Sequence, residues 1–358
     1  MTTRRNTMVA AALAAFSAAP AAAQELDQAC AAYPVAHSPR CVSVAQAAEA
    51  VQPQLGILMA GGNPTLGTAS TGGLRLGVLP RVSLSGRVNL VLANVPEITS
   101  EASGSPAAYQ TDNLRIPTPA LGVNASMGLL SGMGVAPMLG GVGSVDLLAS
   151  ASWIPVDLLG GEAFKAGGAP VAWGAGVRVG LLRESFVTPG VSVSLMHRRQ
   201  GRMELGNVCE DPEQPGLGPD DGVCLGAGGG SGTGGDQGEV GFNVKSWSAR
   251  AAVSKRLLGF GITAGAGWDR FESDVDFAFR GETTTTGSSR VFHVRNRIIE
   301  NDRTSAFLNF SYTLLVGSLV GEVGWMQGGE RLEAYPEDGD FDPEKGVFFG
   351  SLGARLSL

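Results

Sequence analysis

Leu74–Val95 reads LRLGVLPRVSLSGRVNLVLANV. Apolar side chains take every second position at Leu74, Leu76 and Val78, and again at Val82, Leu84, Val88, Leu90 and Leu92. Between them stand Arg75, Gly77, Arg81, Ser83, Ser85, Arg87 and Asn89. A period of two places alternate side chains on opposite faces of a β-strand. Two such strands joined tightly at Leu79-Pro80 make an antiparallel hairpin with one apolar and one wet face. The wet face carries arginines inside long strands, and the pattern recurs to the end of the chain.

Composition narrows the class. Charged residues make up 16% of the 358 residues, against about 25% in soluble domains. Mean hydropathy is +0.12, yet beyond the N-terminus no apolar run approaches the ~18 residues of a membrane helix. A net charge of −7 lacks the basic footprint of a nucleic-acid partner.

Residues 1–23 read as a secretory signal peptide: Arg4 and Arg5, an apolar core from Met8 to Ala18, and cleavage after Ala23. Export suits four cysteines in two local pairs. Cys30 with Cys41 and Cys209 with Cys224 is the favoured pairing of three. Residues 24–53 form a periplasmic segment or a plug, with a short helix over 42–51. Residues 54–358 form the barrel described next.

Alternating segments fall near 54–60, 70–79, 81–95, 117–129, 142–154, 169–182, 189–202, 240–256, 260–279, 303–315, 318–331 and 346–358. Short links alternate with long ones around the chain. The long links are 96–116, 155–168, 203–239, 280–302 and 332–345. Short periplasmic turns, long external loops and an even strand number are the organisation of an outer-membrane barrel. The expected fold is therefore all-β, a transmembrane antiparallel up-and-down barrel of about 12 strands with a short N-terminal plug or periplasmic segment.

Each strand then presents an apolar row to lipid and a polar row to the lumen. Trp153, Trp173, Trp247, Trp268 and Trp325 all fall on apolar rows, on the half of each strand nearer the long loop. This predicts an aromatic girdle at the outer interface. The expected lumen set is Arg75, Arg81, Arg87, Asn89, Asn124, Asp146, Arg178, Arg198, Arg250, Asp269, Asn309, Glu322 and Arg355. Two readings fit it. Charges inside a narrow barrel pair structurally, or an arginine-rich lining forms a path for anionic solutes.

The last strand places Phe348, Leu352, Ala354, Leu356 and Leu358 on one face. With Gly353, Leu356 and Leu358 it resembles the C-terminal strand signal of Gram-negative outer-membrane barrels, which implies the barrel-assembly machinery as a partner. The signal's polar position is Leu352 here. Asn63-Pro64, after an N-terminal non-barrel segment, resembles the hydrophobic-solute transporters of the FadL type. Thr65 stands where that family has Ala, and its barrels have fourteen strands.

Other motifs favour no chemistry. Asp338, Asp340, Asp342 and Glu344 have a spacing that suits calcium; a solvated acidic loop is the alternative, since Pro343 stands where a calcium loop wants Gly. The histidines are His37, His197 and His293, and alternation puts His197 on the opposite face from Ser192 and Ser194, so no catalytic residues are expected. The Gly-rich run 226–235 lacks the Lys of a phosphate loop, and no cofactor is expected. The leading expectation is a passive channel or transporter for small solutes, cleaved of its signal peptide and embedded in outer-membrane lipid. The alternative is a closed barrel acting through loops 203–239 and 280–302.

Overall fold

The computed structural model describes residues 30, 38–72, 74–75, 79–96, 113–134, 140–155, 164–165, 171–206, 238–282, 289–314, 317–330 and 341–357. Among the described residues the helix α1 (Ser38–Ala60) is followed by two short strands, β1 (Leu74–Arg75) and β2 (Leu79–Pro80). The barrel strands follow in order: β3 (Val82–Pro96), β4 (Asn113–Leu130), β5 (Ser144–Trp153), β7 (Val171–Leu182), β8 (Gly190–Gly206) and β9 (Gly238–Leu257). They continue as β10 (Phe260–Glu282), β11 (Ser289–Leu314), β12 (Gly317–Met326) and β13 (Val347–Ser357). A two-residue strand, β6 (Phe164–Lys165), pairs with the end of β8 outside the barrel. Sequential neighbours pair antiparallel, and β13 pairs with β3, so the sheet closes on itself as a ten-stranded barrel.

Ten strands, not twelve, build the wall. The segment expected as a strand at 54–60 is the last part of α1, and 70–79 contributes no barrel strand. The hairpin expected across Leu79-Pro80 is instead a small ladder pairing Leu74 with Pro80 and Arg75 with Leu79. The barrel therefore starts at Val82 rather than residue 54, and the N-terminal helix is longer than 42–51. The other ten expected segments each coincide with a barrel strand. The long link expected at 280–302 is largely strand, because β10 and β11 run on to Glu282 and from Ser289 as a tall ribbon.

Local chemistry explains these elements. Ser38-Pro39 suits a helix start, and Gly61, at φ 62°, closes the helix with its N–H on the Ile57 carbonyl at 2.7 Å. Pro53 cannot donate to the Glu49 carbonyl; Asn301 Nδ2 reaches that oxygen at 3.4 Å. Pro117 and Pro119 lie in β4 opposite Leu92 and Leu90. There β4 extends past the end of β5 and has only β3 beside it, so a missing N–H on the free side costs no ladder bond. Leu258 and Gly259 form a two-residue link, both at positive φ, the conformation of a two-residue hairpin turn.

The interior is layered. Towards the long-loop end the inward side chains are apolar, among them Phe271, Val275, Phe277, Val294, Ile299 and Phe349, and they bury Ala45, Ala48, Val51, Leu55 and Leu58 of α1. Towards the short-turn end most inward side chains are polar or charged, with Val320, Leu148 and Met196 among the apolar exceptions. Among the described residues no helix is long and apolar enough to cross a membrane, a statement that does not bear on strands.

Candidate functional site

The site is the contact between the lumen wall and the chain inside it. Eleven of the thirteen residues expected in the lumen face inward and none of these is more than 6% exposed: Arg87, Asn89, Asn124, Asp146, Arg178, Arg198, Arg250, Asp269, Asn309, Glu322 and Arg355. Arg81 departs from the expectation. It precedes the first barrel strand, outside the strand's alternation, and is exposed. The side chain of Arg75 lies outside the described residues.

These groups grip backbone. Glu322 accepts from the amides of Gly62 and Asn63 at 2.9 and 2.8 Å, and from Asn309 Nδ2 at 2.7 Å. Arg87 stands 4.0 Å from Glu322 and donates to the carbonyls of Ala60 and of Asn63, the latter at 3.2 Å. Asn89 Nδ2 takes the Leu58 carbonyl at 2.7 Å. Arg87 and Asn89 thus occupy carbonyls that the end of α1 leaves unpaired. Arg250 forks onto both Asp269 oxygens at 2.8 Å and reaches the Gly62 carbonyl at 3.0 Å.

Lower down, Arg355 holds the Leu66 carbonyl at 2.7 Å. Asp146 accepts from the Gly72 amide at 3.0 Å and from Arg178, whose Nη1 also donates to Thr65 Oγ1. Thr71 shares a 2.6 Å hydrogen bond with Ser144. Arg198 differs from its neighbours: it donates to Ser248 Oγ and Met196 Sδ, both at 3.1 Å.

Alternation found the wall but not its partners. Gln52 donates to Ser273 and Ile299, Gln54 bonds both N–H and C=O of Asn94, and Asn63 anchors Asn309. Of these, only the Asn63-Pro64 pair carried a sequence signal. The Asn63 side chain also accepts from the Thr65 amide at 3.1 Å, bending the chain locally.

Outside, Trp153, Trp173, Trp247 and Trp325 are exposed and Trp268 is half-buried. Trp173 lies across from Ala151, Trp247 from His197, Trp268 from Ala249 and Trp325 from Ala306. Successive tryptophans thus step two ladder positions, the offset that strand tilt imposes on residues at one height. The rings of His197 and Trp247 are 4.7 Å apart. Above this level Lys245 sits 3.1 Å from Glu272 and 3.2 Å from Asp274. The Asp274 carboxyl is held below the usual carboxylate range by hydrogen bonds from Asn243 and Lys245.

Cys30 and Cys41 are bonded and fully buried, with Cα atoms 5.5 Å apart; Cys209 and Cys224 lie outside the described residues, as do Asp338 and Asp340. Asp342 accepts from the Glu344 amide at 3.0 Å and pairs with Lys345 at 3.3 Å. Among the described residues no group of three or more acids, histidines or cysteines is placed to hold a metal.

No family model matches the chain, and no curated protein matches it. Solved structures do match. The solved structures it resembles are Gram-negative outer-membrane β-barrels. The translocator domain of autotransporter NalP from Neisseria meningitidis is 12% identical, with 88% of this chain and 98% of that one covered at a TM-score of 0.41. The outer membrane protease OmpT from Escherichia coli is 10% identical, covering 78% and 96% at 0.31. Neisserial surface protein A is 9% identical, covering 77% and 96% at 0.28. These likenesses concern the fold alone.

Proposed function

We propose that this chain is an outer-membrane barrel stoppered by its own residues 38–72, which passes small solutes when the stopper shifts. The observation that carries the reading is the lower latch. There the wall holds Gly62, Asn63, Leu66 and Gly72 through side chain to backbone hydrogen bonds. Each such bond contributes only about 1–3 kcal/mol net, because water can replace it. A polar latch of this kind is reversible in a way that an apolar core is not. Four of the arginines expected to line a solute path, Arg87, Arg178, Arg250 and Arg355, are in the resting state occupied by the stopper.

Its membrane setting follows from the outer surface. Leu84, Val88, Leu90, Val123, Val253, Ile262 and Phe310 form an exposed apolar band. The tryptophans border it on the long-loop side, and the rings of Phe260 and Tyr312, 4.8 Å apart and tilted to each other, lie near the short-turn edge. Lipid covers such a band, with aromatic residues at both edges. The C-terminal strand is the element offered to the assembly machinery. No catalytic role is assigned, and entry to the membrane follows removal of the leader after Ala23.

The apolar upper wall supports solutes with a hydrophobic part. Once α1 moves, Phe271, Val275, Phe277 and Phe349 line a vestibule above the arginines. This agrees with what the Asn63-Pro64 resemblance implies. The test is planar-bilayer conductance of the wild-type barrel against a latch variant, Glu322→Gln. A quiet wild type and a conducting variant support the gated reading. Silence from both well-folded proteins replaces it with a permanently closed barrel.

A further inference from the structure

The hydrogen bonds between the wall and the inner segment come in a fixed order. Gln54 meets Asn94, Leu58 meets Asn89 and Ala60 meets Arg87, so the chain descends along β3 from its long-loop end. It continues past Glu322 at Gly62 and Asn63 and Arg355 at Leu66, to Ser254 at Ala69 and Ser144 at Thr71. Ser144 begins β5 at the short-turn end, and Ser254 stands close to the turn at Leu258. The segment therefore runs through the barrel once, from the long-loop end to the short-turn end.

The upper part can be placed by length. From Ala60, beside Arg87, α1 rises about 34 Å at ~1.5 Å per residue. From Arg87 to Pro96 the tilted strand β3 rises only about 21 Å. The first turns of α1 thus stand level with the tall β10–β11 ribbon, and Cys41 and Ala45 pack in one cluster with Phe277 and Val294 of that ribbon. The disulfide pins Cys30 there as well. Cleavage after Ala23 leaves Gln24 to Ala29 ahead of Cys30, a stretch that reaches about 20 Å when fully extended. That is too short to return through a lumen already occupied.

We infer that the polypeptide is threaded outward through its own barrel, with Cys30, Cys41 and the chain ahead of them on the long-loop side of the membrane. The C-terminal strand ends on the opposite side, where Ser357 pairs with Ser83 at the start of β3. The barrel so presents its N-terminal end to the exterior, at the head of the stopper. This inference concerns the resting topology and holds whether or not the stopper ever moves.

Epitope labelling of cells making the full-length protein tests it. One variant carries a tag between Glu25 and Leu26. Two reference variants carry the same tag in the 283–288 link and in the short turn between Arg183 and Thr188. Each is first checked for heat-modifiable migration, which reports a folded barrel. The expected result is labelling of intact cells by antibody at the N-terminal tag and at 283–288, with the 183–188 tag labelled only after permeabilisation. An N-terminal tag that stays dark on intact cells while 283–288 is bright overturns the inference. So does a bright 183–188 tag with a dark 283–288 tag, which inverts the barrel. If a tag near Cys30 prevents folding, an external protease provides the second measurement. A cleavage site inserted between Glu25 and Leu26 should be cut on intact cells, and resistance there with cleavage after permeabilisation overturns the inference too. Bilayer silence, by contrast, sinks only the gating reading.

Discussion

The ring of Phe271 fills the space that a side chain on Gly56 would occupy: a Cβ at residue 56 would overlap the ring's edge atoms. Phe271 is fully buried, so the helix and the wall share one volume at this point. Adding atoms at Gly56 overpacks it. Gly56→Leu is expected to destabilise the seated helix by about 1–3 kcal/mol, and Phe271→Ala by about 3–5 kcal/mol through the cavity it leaves. Because the new leucine fills the space the ring vacates, the double variant should be clearly more stable than the sum of the two losses implies. Urea unfolding of the refolded barrel in lipid checks this, and strict additivity would mean that the two residues do not share the space.

The Glu322 carboxylate is the centre of the latch. Replacing it by Gln keeps the size but removes the charge facing Arg87 and turns one acceptor oxygen into a donor, which opposes either the Gly62 amide on Oε1 or the Asn63 amide on Oε2. Breaking one partner of a buried charged pair costs about 3–5 kcal/mol. Glu322→Gln should lower the unfolding midpoint and raise channel opening frequency, whereas Glu322→Asp should lie between the two. Unchanged single-channel records from Glu322→Gln would remove the latch from the mechanism.

The outer surface gives a depth-dependent expectation. Ala264 faces outward on β10, midway between Phe260 at the short-turn edge and Trp268 at the tryptophan level, four residues nearer the long-loop end. Arginine on a lipid face costs about 2–4 kcal/mol at the midplane and close to nothing at the interface. Ala264→Arg should therefore destabilise the barrel in lipid far more than Trp268→Arg. Equal penalties would place the tryptophans away from the membrane edge.

The wall was legible in the sequence because lipid and lumen enforce a strict period of two, and ten strands follow it. The stopper was not legible, for a physical reason. Gln54 to Ala60 is surrounded by protein on all sides, so α1 there has no polar stripe to betray a helical period. Its run GILMA reads equally well as a buried strand, and Pro53 reads as a boundary although it lies inside the helix, where Asn301 takes up the carbonyl it leaves free. Leu74 to Val78 alternates like its neighbours yet precedes the first barrel strand. Arg87 and Glu322 were legible as lumen residues. Their partners are backbone atoms of Ala60, Gly62 and Asn63, which no side-chain pattern encodes.

The turn at Leu258 offers a final expectation. Leu258 is 99% exposed with φ at 51°, and Gly259 follows at 89°. A left-handed backbone costs an ordinary residue about 1–2 kcal/mol, and hairpin turns of this shape prefer Asn-Gly or Asp-Gly. Leu258→Asn should relieve part of that strain and stabilise the β9–β10 hairpin in detergent. Leu258 also lies between Leu257 and Phe260, which are exposed at the short-turn edge. If the turn tip dips into lipid headgroups, losing the leucine removes an apolar anchor and the gain should shrink in bilayers. Unfolding midpoints of Leu258→Asn and wild type, compared in detergent and in vesicles, separate backbone strain from membrane anchoring. A gain in detergent that vanishes in vesicles assigns Leu258 to the membrane edge, and an equal gain in both leaves only the strained turn.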